Sequence, residues 1–180
     1  LRARDPGAER WLLETHAGLV ERIIVRVIGD VRNLEDNVQE VFVRVFARAS
    51  EIRDPGALKA YVTSVAVFVA REVLRKRRRH AWLRFFAPEE LPEPAAATDP
   101  ESREALLAVY RVLSEMDVDV RISFALRYIE GMDLAQVAAA TGRSLATVKR
   151  RLMRAEEVFV ARCRDDETLR PWLEAGSRWA

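Results

Sequence analysis

The chain has 180 residues, enough for one or two small domains, and its 30 Lys and Arg against 28 Asp and Glu leave a net charge of only +2. One cysteine, Cys163, excludes an intrachain disulfide, two histidines leave too little for a metal site, and no apolar run is long enough to span a bilayer. With no secretory leader at Leu1, these features predict a soluble, cytoplasmic protein without cofactor or metal.

Nearly every segment reads as helix. Trp11, Leu12, Thr15, Leu19, Ile23, Val27 and Ile28 recur at helical spacing, and Gly29 ends the stripe. Asn33 is placed to cap a second helix reaching Ala49, whose apolar face is Val38, Val41, Phe42, Val45 and Phe46. Asp54, Pro55 and Gly56 form a turn in which Asp54 caps and Pro55 opens a long helix from about Ala57 to Arg79. Tyr61, Val62, Val65 and Val69 invite a strand there, but they do not alternate strictly and no hairpin partner lies nearby. The helix runs into REVLRKRRRHAWLR, Arg71 to Arg84. One or two cations would serve its C-terminal dipole; Arg71, Arg75, Lys76, Arg77, Arg78 and Arg79 in one short window predict a track for phosphates.

Ala87 to Pro100 holds Pro88, Pro92, Pro94 and Pro100 among acids and alanines, so it reads as an extended linker. Acids continue to Asp119, which makes the connector negative between two basic regions. Asp99 and Pro100 start the next helix. The division is then 1–86, a linker at 87–98, and 99–180, an all-α protein of two small helical domains.

Residues 128–155, YIEGMDLAQVAAATGRSLATVKRRLMRA, read as a helix-turn-helix. Asp133 and Gln136 have capping-box spacing, Ala138, Ala139 and Ala140 allow close helix approach, Gly142 ends the first helix and Ser144 caps the second. Leu145, Val148, Leu152, Ala155 and Phe159 should face inward. Thr147, Lys149, Arg150, Arg151, Met153 and Arg154 remain outward, with no acid between Leu134 and Ala155 to offset them. Such a face is often merely solvated. Cap, turn and cations confined to the second helix together favour the DNA major groove.

Two helical domains, an acidic linker and a basic helix-turn-helix resemble an extracytoplasmic-function sigma factor of bacterial RNA polymerase, of the sigma-70 superfamily. The residues that carry this are LEDNVQEVFVRVF at Leu34 to Phe46, AYVTSVAVFVAREVLRKRRR at Ala60 to Arg79, and Val112 to Ala155, in matching order from Leu19 onward. The resemblance implies a transcription initiation factor whose partners are the polymerase core, promoter DNA and an anti-sigma factor. The first domain would be sigma region 2 and the second sigma region 4.

By that resemblance Asp36, Gln39 and Glu40 dock on the clamp helices of the polymerase's largest subunit. Acids favoured by a helix N-terminus would explain Glu35 and Asp36, but not Gln39 and Glu40 in that order. Arg53, in the turn Ser50 to Gly56, and Phe68, Arg71, Arg75 and Lys76 would hold the minus-ten strand. Separating that strand costs a few kcal/mol per extruded base, recovered on cationic and aromatic side chains. Arg143, Ser144, Thr147, Lys149, Arg150, Met153 and Arg154 would read the minus-thirty-five duplex. Trp82, Phe85 and Phe86 are better read as packing than as base stackers.

Departures from the family pattern fall mainly in the first domain. Val67 and Phe68 stand where relatives usually carry Arg and Asn, and Tyr61 stands for the usual Trp. Phe68 lies off the main apolar stripe; it is either additional core, the reading favoured here, or an exposed aromatic that stacks on a base. Arg150 stands where relatives often have Ser, and Met116-Asp117 replaces a Leu-Pro pair.

An enzyme finds little support: His16 and His80 are far apart, and Glu89/Glu90 and Asp165/Asp166 read as solvated charge. Two other functions fit parts of the chain, a sigma mimic that sequesters an anti-sigma factor and a stand-alone helix-turn-helix regulator. The first has no use for both basic regions, and the second none for Asp36, Gln39 and Glu40. The segment ending RPWLEAGSRWA is open between a final helix and a regulatory tail.

Overall fold

The computed structural model describes residues 6–48, 54–83 and 100–175. Arg53, Phe85, Phe86 and the linker 87–98 lie outside the described residues. The elements are α1 (Pro6–Ile28), α2 (Leu34–Arg48), a 3-10 turn (Pro55–Ala57), α3 (Leu58–Leu83), α4 (Pro100–Glu115), α5 (Val118–Phe124), a π turn (Ala125–Ile129), α6 (Leu134–Thr141), α7 (Leu145–Asp165) and α8 (Arg170–Ala175).

Helices α1, α2 and α3 pack around Leu12, Val20, Ile23, Ile24, Val41, Val45, Val62 and Ala66, all buried. Each Val, Leu or Ile removed from water there contributes roughly 1.5–3 kcal/mol. The inward line of α1 starts at Leu12, His16 and Val20; Trp11 and Thr15, expected on it, are exposed. Gly29 ends α1 at φ 87°. Asn33 precedes α2 at φ 55°, not in the extended conformation usual for a cap, and its carbonyl accepts the Asn37 amide at 3.0 Å. Asp54 accepts the Gly56 amide at 2.8 Å, and α3 then runs four residues past the expected Arg79. Phe68 is 46% exposed, which overturns the core assignment: Val67 and Val69 on either side take the buried positions, and a 3.6-residue period cannot bury Phe68 as well.

In the second domain α4, α5, α7 and the chain at Leu169 enclose Leu113, Met116, Phe124, Ala155, Phe159 and Cys163. Asp117 caps α5 by accepting the Asp119 amide at 3.0 Å, so a side chain supplies the helix start. The Asp133–Gln136 capping box forms with bonds of 2.8 and 2.9 Å, and Gly142 takes φ 65°. Leu145 is exposed at the first position of α7, where no neighbouring helix covers it. After α7 the Asp166 carboxylate accepts the amides of Thr168 and Leu169, and the chain turns into the short α8.

The two helical units pack on each other. Val118, Ile122, Leu126, Val137, Val148 and Leu152 of the second share one apolar cluster with α1 and α3 of the first. The small residues of α6 admit α3, and Ser64 Oγ donates to the Ala139 carbonyl at 3.5 Å. Nothing in the hydrophobic pattern of either half had announced this contact.

Candidate nucleic-acid interface

Ser144 fixes the start of α7, its hydroxyl accepting the Thr147 amide at 3.3 Å and lying 3.0 Å from the Thr147 hydroxyl. From that anchor Arg143, Ser144, Lys149, Arg150, Met153 and Arg154 are exposed and Thr147 is half-buried. Residues 143, 147, 150 and 154 follow one helical face, with Met153 62% exposed beside them. The surface can contact phosphates, base edges and a thymine methyl group.

Arg151 differs from its expected place on that face. Its side chain is 16% exposed and Nη2 lies 3.2 Å from the Asp119 carboxylate on α5. Burial lowers its pKa and the Asp119 charge opposes that, while the like charges of Arg143 and Arg71 lower it further. The structure therefore draws Arg151, Arg143 and Arg71 into one neighbourhood.

On α2, Asp36, Gln39 and Glu40 are exposed together. Arg44, one turn beyond Glu40, went unnoticed in the sequence because it looks like an ordinary i,i+4 partner. It donates to Glu40 at 2.6 Å, reaches Glu72 of α3 at 2.6 Å, and holds its guanidinium 5.0 Å over the Phe68 ring. Glu40, Glu72 and the exposed aromatic are thus joined through one cation.

The cationic run of α3 is divided. Arg71 Nε donates to Asp119 at 2.9 Å with a side chain only 13% exposed, and Arg75 lies 3.5 Å from the same carboxylate. Arg78 pairs with Asp117 at 3.3 Å. Arg77 turns to the other side and binds Asp30. Lys76 and Arg79 are exposed and enter no ion pair among the described residues. An open cleft of about 900 Å³ lies where Glu72, Arg75, Arg78 and Arg79 face Asp117 and Asp119. The expected track of six equivalent phosphate ligands is therefore, in this conformation, a set of ion pairs with two cations left over.

Asp117 and Asp119, which engage Arg71, Arg75 and Arg78, were missed because acids between 88 and 119 read as connector charge. Others behind them are equally cryptic. Buried Arg121 donates to the Val27 and Ile28 carbonyls at 3.2 and 2.7 Å, capping the C-terminus of α1, and Tyr110 donates to the Arg26 carbonyl at 3.0 Å. Glu130 accepts from Arg22 at 3.0 Å and Arg26 at 2.6 Å.

Cys163 and His16 are buried away from these faces, while Glu89 and Glu90 lie outside the described residues. Burial and the neighbouring Asp166 charge push the Cys163 thiol up to about 11, which keeps it protonated, and His16 is buried in the first domain. Among the described residues no His, Cys, Asp and Glu are grouped to hold a metal ion, and no helix is long and apolar enough to cross a membrane.

Comparison with known proteins places both halves. Residues 12–80 match the model for Sigma-70 region 2 and residues 106–157 that for Sigma-70 region 4. The chain is 28% identical over 155 residues to the ECF RNA polymerase sigma factor SigE of Mycolicibacterium smegmatis, covering 81% of this chain and 58% of that one. It is 32% identical over 151 residues to the RNA polymerase sigma-E factor of Streptomyces coelicolor, covering 80% and 81%. In fold it is similar to the sigma factor RpoE from Bartonella quintana, solved in complex with the anti-sigma factor NepR, with a TM-score of 0.64, 19% identity, and coverage of 88% and 98%. The chain thus spans little more than half the length of SigE, while it covers most of the Streptomyces protein. A region 2 helical unit whose α3 carries the cationic run, followed by a region 4 helix-turn-helix, is the architecture of one family: the chain belongs to the extracytoplasmic-function sigma factors of the sigma-70 family.

Proposed function

We propose that the chain is a cytoplasmic transcription initiation factor, not an enzyme, that joins bacterial RNA polymerase core and directs it to promoters. In this reading residues 1–86 dock on the clamp helices of the largest subunit through Asp36, Gln39 and Glu40, and capture the minus-ten strand with Arg53, Phe68, Arg71, Arg75 and Lys76. Residues 87–98 link them to 99–180, which bind the minus-thirty-five duplex through Arg143, Ser144, Thr147, Lys149, Arg150, Met153 and Arg154. The observation that carries the reading is the coexistence of two separate exposed faces, cationic on α7 and acidic on α2.

A sigma mimic that only occupies an anti-sigma factor draws on one fact, the commitment of Arg71, Arg75 and Arg78 to internal ion pairs. It gives no role to Lys149, Arg150 and Arg154. A stand-alone helix-turn-helix regulator leaves the acidic face of α2 unused.

Charge reversal tests the docking role directly. Asp36→Lys combined with Glu40→Lys, both on exposed positions, should weaken competition with the wild-type chain for purified core polymerase at least tenfold while circular dichroism is unchanged. Equal competition would remove the α2 face from the account.

A further inference from the structure

Arg44 of α2 stands where two surfaces of the first unit meet. Its Nε donates to the Glu40 carboxylate at 2.6 Å, its Nη1 lies 2.6 Å from the Glu72 carboxylate of α3, and its guanidinium carbon sits 5.0 Å from the centre of the Phe68 ring. Glu72 follows Phe68 by one helical turn, so carboxylate and ring are neighbours along α3. Burial alone would lower the Arg44 pKa, yet the hydrogen bonds and charges of Glu40 and Glu72 raise it above its ordinary value. An ordinary i,i+4 pair would explain the Glu40 bond alone. It does not explain why the same guanidinium crosses to a second helix and lies over an aromatic ring that is 46% exposed.

We propose that Arg44 is a positioning residue that couples polymerase docking at Glu40 to the stacking of a base on Phe68. The proposal rests on the docking role given to Glu40 and the strand-capturing role given to Phe68 above. In the free chain the cation lies over the Phe68 ring, and a base that stacks on that face must displace it. Two carboxylates tether the guanidinium in this place. A cation of the polymerase that takes the Glu40 carboxylate leaves Glu72 as the remaining tether. The Arg44 side chain then regains rotamer freedom, and the base competes for the ring against a weaker hold.

The strengths involved suit a hand-over. The Glu40 and Glu72 side chains are 47% and 50% exposed, and that of Arg44 is 34% exposed. An ion pair in such a setting changes an equilibrium by a factor of at most about five, so an incoming charge displaces it readily. Linkage makes the effect reciprocal: a base seated on Phe68 draws Arg44 away from Glu40, and strand and polymerase each tighten the binding of the other by the same factor. The planar fork of arginine is needed for this. A lysine is a point charge that cannot bridge two carboxylates and lie flat on a ring at once.

The test is a double-mutant cycle on the chain, read by binding to a fluorescein-labelled dT20 oligonucleotide at fixed salt. Glu40→Gln keeps the shape of the side chain and removes its charge, which imitates engagement by the polymerase. It should tighten dT20 binding by a factor of about three to five. Deleting a negative charge near the strand contributes part of that gain, and this part survives in an Arg44→Ala or Phe68→Ala background; the part carried by Arg44 does not. The gain should therefore fall by a factor of about two or more in both backgrounds, a non-additivity that a purely structural Arg44 does not produce. Arg44→Lys should behave as Arg44→Ala. An equal gain in the wild-type, Arg44→Ala and Phe68→Ala backgrounds would overturn the coupling, as would a full gain preserved by Arg44→Lys. Phe68→Ala alone separates the claims: if it weakens dT20 binding while the gain stays equal, strand capture stands and the coupling fails. If it leaves dT20 binding unchanged, both fail.

Discussion

Arg77 and Asp30 form a two-bonded ion pair, Nη1 to Oδ2 at 2.6 Å and Nη2 to Oδ1 at 3.2 Å, that ties the end of α3 to the loop after α1. Asp30 is buried and also receives Arg32 at 3.1 Å. Removing Arg77 strands a buried carboxylate with one partner, so Arg77→Ala should cost about 2 to 3 kcal/mol in urea unfolding. Its neighbour Lys76 is exposed, and Lys76→Ala should leave stability within about 0.5 kcal/mol while weakening single-strand binding. Equal stability loss from both would mean that the run is uniform after all.

On α7, Lys149 and Arg150 are exposed while Val148 and Leu152 are buried. Lys149→Ala should weaken duplex binding across sequences and lower the salt slope by about 0.9, the signature of one lost phosphate contact. Arg150→Ala should instead change which base is preferred, because a bidentate Arg–guanine contact discriminates by about 1 to 3 kcal/mol. Titrations of a randomised duplex pool over a range of salt measure both. An unchanged slope for Lys149→Ala would remove it from the interface.

Phe68 carries the Arg44 guanidinium over its ring and is half exposed, so its truncation should be nearly silent in stability, under about 1 kcal/mol, yet reduce capture of the minus-ten strand. Phe68→Asn, which offers an amide in place of the ring, should restore capture with a different base preference. Permanganate footprinting of an open promoter complex reads the effect. Wild-type melting by Phe68→Ala would return Phe68 to a bystander role.

Acidification should weaken the first unit in two steps. Burial, with the Lys59 charge, lowers the His16 pKa below 6.5, so the unfolded chain takes the proton more readily and stability is lost as pH falls through and below 6.5. Asp30 follows. Burial alone would raise its carboxyl, but the hydrogen bonds and charges of Arg77 and Arg32 hold it below 3.8, and its contribution, complete above 3.8, disappears as pH falls below that value. Urea midpoints at pH 7.5, 5.5 and 3.5 should decline in that order, and His16→Gln should remove the first step. A flat profile between 7.5 and 5.5 would contradict the assignment.

Much of the fold was legible because it is local. The Asp133–Gln136 capping box, the Gly142 turn and the period of Val41, Phe42 and Val45 involve residues within one or two turns of each other, where spacing alone decides. The cation face of α7 was legible for the same reason, apart from Arg151. Its inward turn, the pairing of Arg71 with Asp119 across 48 positions, and the Arg121 cap on α1 across more than 90 depend on how two units meet. Helical periodicity carries no information on that. Phe68 was misjudged in the other direction, since an aromatic beside Val67 and Val69 resembles core until the helix phase is known.

The most direct test is transcription of genomic DNA by purified core polymerase with and without the chain, with transcript 5′ ends mapped by sequencing. Discrete start sites that need the chain, share an element near minus thirty-five and are lost with Lys149→Ala are the predicted result. A transcript profile identical to that of core alone, from a chain that still binds core, would contradict it.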